Sequence, residues 1–293
     1  MKFAVRRASA LVAAITASLL PGLSHAILEE VIVTAQKREQ NVQSIPVAVT
    51  ALREETIRNA NIFTIDDVAD HTPGFTISNY NPVVPQPFIR GIGSTQNDAG
   101  SDASIGVFMD GVYVGRAGGY RADMYDLQRV EVLRGPQGTL FGRNVAGGAL
   151  NIISNAPSRE FAGDVELTAG DYDLRGIKGM VNGPLARDFA GRIAFSVHER
   201  DGVTDNTVTG SELQDRDNKS VRGRLLWEPS STFSANLIAD YSEDDLKGPA
   251  ARNFIGDPAT MMESVGLGAL TPLLLPSSKD PFKIEADIDG RAK

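Results

Sequence analysis

From Phe161 onward the chain alternates apolar and polar residues with a period of two. Phe189, Ile193, Phe195 and Val197 fall on one side of that alternation and Arg192, Ser196 and His198 on the other. Val221, Leu225 and Trp227 likewise oppose Arg222, Arg224 and Glu228, and Phe233, Leu237 and Tyr241 oppose Ser234, Asn236 and Asp240. Successive side chains leave a strand on opposite faces, so each stretch predicts a strand with one apolar face. Strands are expected over Phe161 to Gly170, Leu174 to Val181, Asp188 to Arg200, Lys219 to Glu228 and Thr232 to Ser242. A half-buried sheet in a soluble sandwich has the same alternation. The links favour another solution: NGPLARD and EPSS are short, whereas Arg200 to Lys219 is long, polar and acidic. Short turns at one end and long loops at the other are the pattern of an outer-membrane β-barrel.

Between about Ile45 and Asn155 the periods mix. PVAVT reads as a strand, Leu52 to Asn59 as a helix, and a second helix starts at Thr64, whose hydroxyl can cap the first turn while Asp67 answers three residues later. That helix ends before Pro73-Gly74. FTIS and PFIRGIG read as strands, and VFMDGVYV as a hairpin turned by Asp110-Gly111. A short helix over Asp123 to Leu127, the strand RVEVLRG and a buried strand ALNIIS complete the region.

The N-terminus runs MKFAVRR, then a mostly apolar stretch from Ala8 to Leu20, then Pro21-Gly22 and the small-residue pattern Ser24-His25-Ala26. That order is a secretory signal peptide of the unfolded-export kind, and its apolar run is too short to cross a bilayer as a helix. Cleavage after Ala26 removes Lys2, Arg6 and Arg7 and no acid, taking the formal charge from −8 to −11. An acidic exported product argues against nucleic-acid binding. With no cysteine there is neither a disulfide framework nor a thiolate metal site, and three scattered histidines argue against a histidine metal site. The glycines of Val130 to Ser154 carry no Gly-Lys-Ser/Thr, and Gly91-Ile92-Gly93 is followed by Gln96 where a third glycine would stand. No catalytic constellation emerges, so the glycines are read as sites of tight turns and close backbone approach. The acids Asp201, Asp205, Asp215 and Asp217 lack the spacing of a calcium loop and read as a solvated loop.

Four segments together resemble the TonB-dependent outer-membrane receptors, in that family's order: EEVIVTA (Glu29 to Ala35), FIRGIG (Phe88 to Gly93), FMDGVYVGR (Phe108 to Arg116) and VEVLRGPQGTLFGRN (Val130 to Asn144). The resemblance implies an α+β plug domain followed by antiparallel transmembrane β-strands of an incomplete β-barrel, the family's barrel having ~22 strands. It implies a TonB box at Glu30, Val31, Ile32, Val33, Thr34 and Ala35, where an extended segment adds to an exposed sheet edge of TonB. The plainer alternative is an ordinary first strand. It also implies that Arg90 and Arg134 pair with glutamates of the barrel that lie well downstream, beyond Lys293, against the alternative of solvated arginines. By the same analogy Asn79, Tyr80, Asn81, Gln96, Asn97, Asp98, Arg116 and Tyr120 belong to outward-facing plug apices that touch the ligand.

The expected organisation is a signal peptide at 1–26, TonB box and linker at 27–44, plug at 45–156 and the first part of a barrel at 157–293. The last stretch is too short for a barrel that encloses a domain, because a barrel of about eight strands fills its interior with its own side chains. The expected function is the N-terminal part of a receptor for energy-coupled uptake of a scarce solute, a ferric siderophore or similar iron complex. The expected partners are TonB, outer-membrane lipid and that ligand, with no cofactor, and the destination is the outer membrane. The alternative is a non-transporting fragment or a soluble periplasmic plug-type protein. An enzyme ranks last.

Overall fold

The computed structural model describes residues 32–34, 38, 40–78, 84–95, 101–121, 123–206, 209–247, 283–284 and 291–292. The expected signal peptide lies outside them. The chain enters with β1 (Ile32–Val33), paired antiparallel with β2 (Gln40–Asn41). β3 (Ala48–Arg53) passes directly into α1 (Glu54–Asn59), whose first turn carries Glu54 and Glu55 at the positive end of the helix dipole. The sequence predicts that helix from Leu52. Leu52 instead stays in the strand, opposite Val130 and buried in the core between sheet and helices. α2 (Ile65–Asp70) opens with the predicted capping box: Thr64 Oγ1 accepts from the Asp67 N–H and Asp67 Oδ2 accepts from the Thr64 N–H.

β4 (Phe75–Ser78), β5 (Gln86–Ile89) and β6 (Ile92–Gly93) form a small antiparallel sheet. β7 (Ile105–Met109) and β8 (Val112–Tyr113) make the predicted hairpin, with φ of +48° at Asp110 and +83° at Gly111. The helix expected over Asp123 to Leu127 does not form. Met124 and Tyr125 are drawn into the core, the Met124 N–H donates to the Phe63 carbonyl at 2.9 Å, and Asp126 sits at φ +51°, outside the helical region. The chain therefore runs extended into β9 (Leu127–Arg134). The glycine-rich stretch holds a four-residue helix, α3 (Gly138–Phe141), before β10 (Gly148–Ser154).

The main sheet of this domain has the order β3-β9-β10-β7-β8, parallel only between β10 and β7. On β9, Val130 and Val132 face α1 and α2 and join Ile57, Ile65, Val68, Leu150 and Ile152 in one core. The alternate residues face the opposite way, where Leu133 meets Val33, Ile45, Phe108, Val145 and Ala149 in a second core. The expected close backbone approach occurs at Gly148, at φ +149°, where a Cβ would lie 2.2 Å from the Leu133 carbonyl oxygen.

The second unit is a wall of five antiparallel strands. β11 (Ala162–Gly170), β12 (Leu174–Ala186) and β13 (Phe189–Arg200) lead, through a loop holding β14 (Thr204–Asn206) and β15 (Glu212–Leu213), to β16 (Arg216–Ser230) and β17 (Phe233–Asp244). The order is β11-β12-β13-β16-β17. β16 starts at Arg216 rather than Lys219, because Arg200, Glu199 and His198 find cross-strand partners in Arg216, Asp217 and Asn218. Four of these strands have 12 or more residues apiece between turns, enough for a tilted crossing that needs ~9–11 residues.

The polarity of the wall is inverted relative to a soluble sheet. Val165, Leu167, Ile193, Leu237 and Tyr241 are exposed, Leu167 at 76 %, while Ala190, Ala194, Ser196, His198, Arg222 and Arg224 are buried toward the first domain. A soluble sandwich would bury the large apolar side chains. At the short-turn end Phe189 stacks on Trp227 at 5.6 Å and Trp227 meets Phe233 edge-on at 5.5 Å, the aromatic girdle of a membrane interface.

Candidate functional site: coupling strand, clamp and apex hollow

β1 lies on the face of the main sheet opposite the helices. Arg129 and Glu131 share that face of β9 by the period of two, and Asn151 of β10 stands directly opposite Glu131. Val33 fills an apolar gap beside Leu133 and is fully buried. Thr34 caps the polar patch. Its N–H donates to Glu131 Oε1 at 2.7 Å and its hydroxyl lies 3.2 Å from the same oxygen. Arg129 Nε donates to Glu131 Oε1 at 2.7 Å and Arg129 Nη2 to Thr34 Oγ1 at 3.1 Å. Asn151 Nδ2 donates to Glu131 Oε2 at 3.3 Å and to Thr34 Oγ1 at 3.4 Å. Glu131 is wholly buried, so this ion pair and these hydrogen bonds are what make its charge tolerable there. Of the expected coupling segment, Ile32 is 45 % exposed, while Glu30, Val31 and Ala35 lie outside the described residues.

The wall grips the first domain through arginines. Arg192 holds Asp126 bidentately, Nε lying 3.1 and 2.9 Å from the two carboxylate oxygens, and both side chains are nearly buried. Arg222 donates to the Tyr125 carbonyl at 3.2 Å, its guanidinium lies 4.8 Å over the Tyr125 ring, and it pairs with Asp240. Arg224 Nη1 donates to the Ser154 carbonyl at 2.9 Å, to Ser154 Oγ at 2.8 Å and to the Asn155 carbonyl at 3.1 Å, with Asp110 at 3.7 Å. Asp110 accepts from the Ser154 N–H at 3.0 Å and from its hydroxyl at 2.7 Å. His198 of β13 packs its ring 4.8 Å from Phe63. Burial raises the phenol of Tyr125 well above the ordinary tyrosine range, a rise that Arg222 opposes.

Here the wall supplies the cations and the plug the acids, a grip separate from the pairing expected of Arg90 and Arg134. Among the described residues Arg134 does not reach a wall carboxylate: it donates to Thr50 Oγ1 at 2.8 Å and to the Pro73 carbonyl at 3.2 Å. Arg90 is exposed and sits at φ +52°, its N–H bonded to the Gly74 carbonyl at 2.7 Å. Both arginines thus flank the Pro73-Gly74 turn. The alternation placed Arg192, Arg222 and Arg224 on the polar side of their strands, which was the available signal. Which acids they meet depends on how two separate units dock.

A hollow of about 480 Å³ is lined by Gln86, Asp102, Tyr113, Arg116, Arg143 and Asn144 among others. Asn144 Nδ2 donates to Asp102 Oδ1 at 3.2 Å and to the Tyr113 hydroxyl at 3.1 Å. Arg116 is exposed at its rim. Tyr120 also lines it, but the side chain is 3 % exposed and belongs to the core, so it does not project from an apex as the sequence suggested. Burial, with a smaller contribution from Tyr113, pushes its phenol up to about 12, so it stays a neutral hydroxyl at ordinary pH. Asn79, Tyr80, Asn81, Gln96, Asn97 and Asp98 lie outside the described residues.

A mixed sheet domain, held by charge to the small and polar face of a wall whose other face is apolar, defines a plug in a transmembrane β-barrel. Residues 41–149 match the TonB-dependent Receptor Plug Domain, so this part of the chain is a plug domain of that family, and the strands after it are similar to the first wall strands of TonB-dependent outer-membrane receptors. It is 30 % identical over 221 residues to the ferripyoverdine receptor of Pseudomonas aeruginosa, a match covering 74 % of this chain and 26 % of that protein. Identity to the ferrioxamine receptor of Yersinia enterocolitica is 25 %, over 73 % of this chain and 29 % of that protein. The crystal structure of the ferric yersiniabactin uptake receptor of Yersinia pestis superposes with a TM-score of 0.64 at 25 % identity, over 69 % of this chain and 32 % of that one. The chain therefore spans between a quarter and a third of the length of these relatives. They are receptors and not enzymes.

Proposed function

We propose that this chain supplies the plug, the coupling segment and the first wall strands of a receptor that takes up a ferric siderophore or similar iron complex with energy drawn from TonB. In this reading residues 27–44 carry the TonB box and linker, 45–156 the plug, and 157–293 the start of the barrel. The observation that carries it is the plug clamped by Asp126 and Asp110 to the inner side of a lipid-facing wall. Such a plug blocks the barrel until force applied through the coupling segment rearranges it. The names of the relatives, ferripyoverdine and ferrioxamine receptors, support iron complexes as the cargo class. The hollow lined by Arg116, Arg143 and Tyr113 suits an anionic ligand with aromatic groups, since guanidinium binds carboxylate and oxyanion groups and also stacks on rings.

Uptake of radioactive iron tests this. Cells carrying the gene should accumulate iron from at least one ferric siderophore, and deletion of the gene or of TonB should abolish it. Unchanged iron uptake for every siderophore tried, with cobalamin uptake lost instead, would reassign the cargo.

A further inference from the structure

Glu131 is the largest unexplained commitment in the plug: a wholly buried carboxylate placed where an apolar residue would pack without cost. It does not contact the wall or the hollow. Two of the groups around it, Arg129 and Asn151, belong to the plug sheet, and the third is Thr34 of the coupling segment. The Thr34 contact is made through backbone as well as side chain, and a backbone N–H is what strand addition by a partner uses.

We infer that Glu131 is a positioning residue that withholds the coupling strand from its partner by occupying the Thr34 N–H with a charged stand-in for a strand carbonyl. This rests on reading Ile32 to Thr34 as the segment that pairs with TonB. A partner strand cannot pair along the whole segment while β2 holds Ile32 and Val33 on one side, Val33 is sunk beside Leu133, and Glu131 holds Thr34. Once Thr34 leaves, Glu131 keeps Arg129 and Asn151, so the buried charge remains paired and the plug stays folded. The latch can then open without unfolding its own base. Arg129 and Asn151 both also donate to Thr34 Oγ1, so the hydroxyl fixes the register of the strand on the sheet.

The test uses the whole receptor in isolated outer membranes. This chain has no cysteine, so a single Val33→Cys, with any cysteine elsewhere in the receptor replaced by serine, gives a reporter that a maleimide reaches only after release, and Val68→Cys reports core opening. Glu131→Gln replaces the charged acceptor with a neutral one, and Thr34→Val removes only the hydroxyl. Each is expected to speed Val33→Cys labelling about tenfold, the size of one charge-assisted hydrogen bond, and leave Val68→Cys unchanged. Unchanged Val33→Cys labelling in both variants overturns the inference. If Glu131→Gln speeds both reporters, Thr34→Val decides: faster labelling at Val33→Cys alone supports the latch, and none refutes it. The periplasmic domain of TonB, added to the same membranes, separates the two readings. Release without TonB binding keeps the latch and sinks the coupling role; TonB binding that is no tighter in Glu131→Gln than in the wild type refutes the latch as a brake on pairing.

Discussion

At the residue scale the plug is held by a few buried charges. Arg192 and Asp126 are each at most one-tenth exposed, and removing Arg192 leaves Asp126 buried with only the neutral Asn155 amide as a side-chain partner. Arg192→Ala is expected to destabilise the plug–wall contact by about 3–5 kcal/mol, whereas Arg192→Met paired with Asp126→Leu should cost much less. Unfolding of the refolded protein in denaturant, followed by tryptophan emission from Trp227, would measure both; equal losses in the single and the double variant would show that the pair is not the clamp. The residues of this clamp were half legible in the sequence. Period-two alternation placed Arg192, Arg222 and Arg224 on the inward side, but Asp126 lies 66 positions from Arg192, and no local pattern joins them. The same limit applies to Arg134: its partners among the described residues, Thr50 and the Pro73 carbonyl, carry no charge that a sequence would advertise.

At the scale of elements, local chemistry was legible wherever it was self-contained. The Thr64 capping box and the Asp110-Gly111 turn are complete within four residues, and both form as the sequence predicts. The helix expected at Asp123 failed because its fate is set from outside, by the Phe63 carbonyl and by the core that takes Met124 and Tyr125. The junction between β9 and β10 is the least tolerant point of the sheet. Gly148→Ala would push a methyl against the Leu133 carbonyl and hold a side chain at φ +149°, so a loss of about 2 kcal/mol or more is expected. Hydrogen exchange at Leu133 and Leu150 in the variant would read it locally. Protection equal to the wild type there would mean that the sheet shifts freely.

For the whole molecule, the inverted wall predicts an asymmetry between its faces. Leu237 is 66 % exposed toward the lipid side, and Leu237→Lys is expected to lower stability in bilayers by about 2–4 kcal/mol at mid-depth. The same substitution at an outward position nearer the end of the strand, such as Tyr241, should cost less. Urea titration in lipid vesicles would compare the two, and equal costs would argue that this face is not in lipid. One rung of the wall has a further consequence. Arg192 of β13 and Arg224 of β16 are direct neighbours across the sheet, and like charges so placed repel. Asp126 and Asp110, which answer them, both belong to the plug. Without the docked plug this rung would hold two neighbouring arginines unanswered, so the plug is also a brace for the wall that surrounds it.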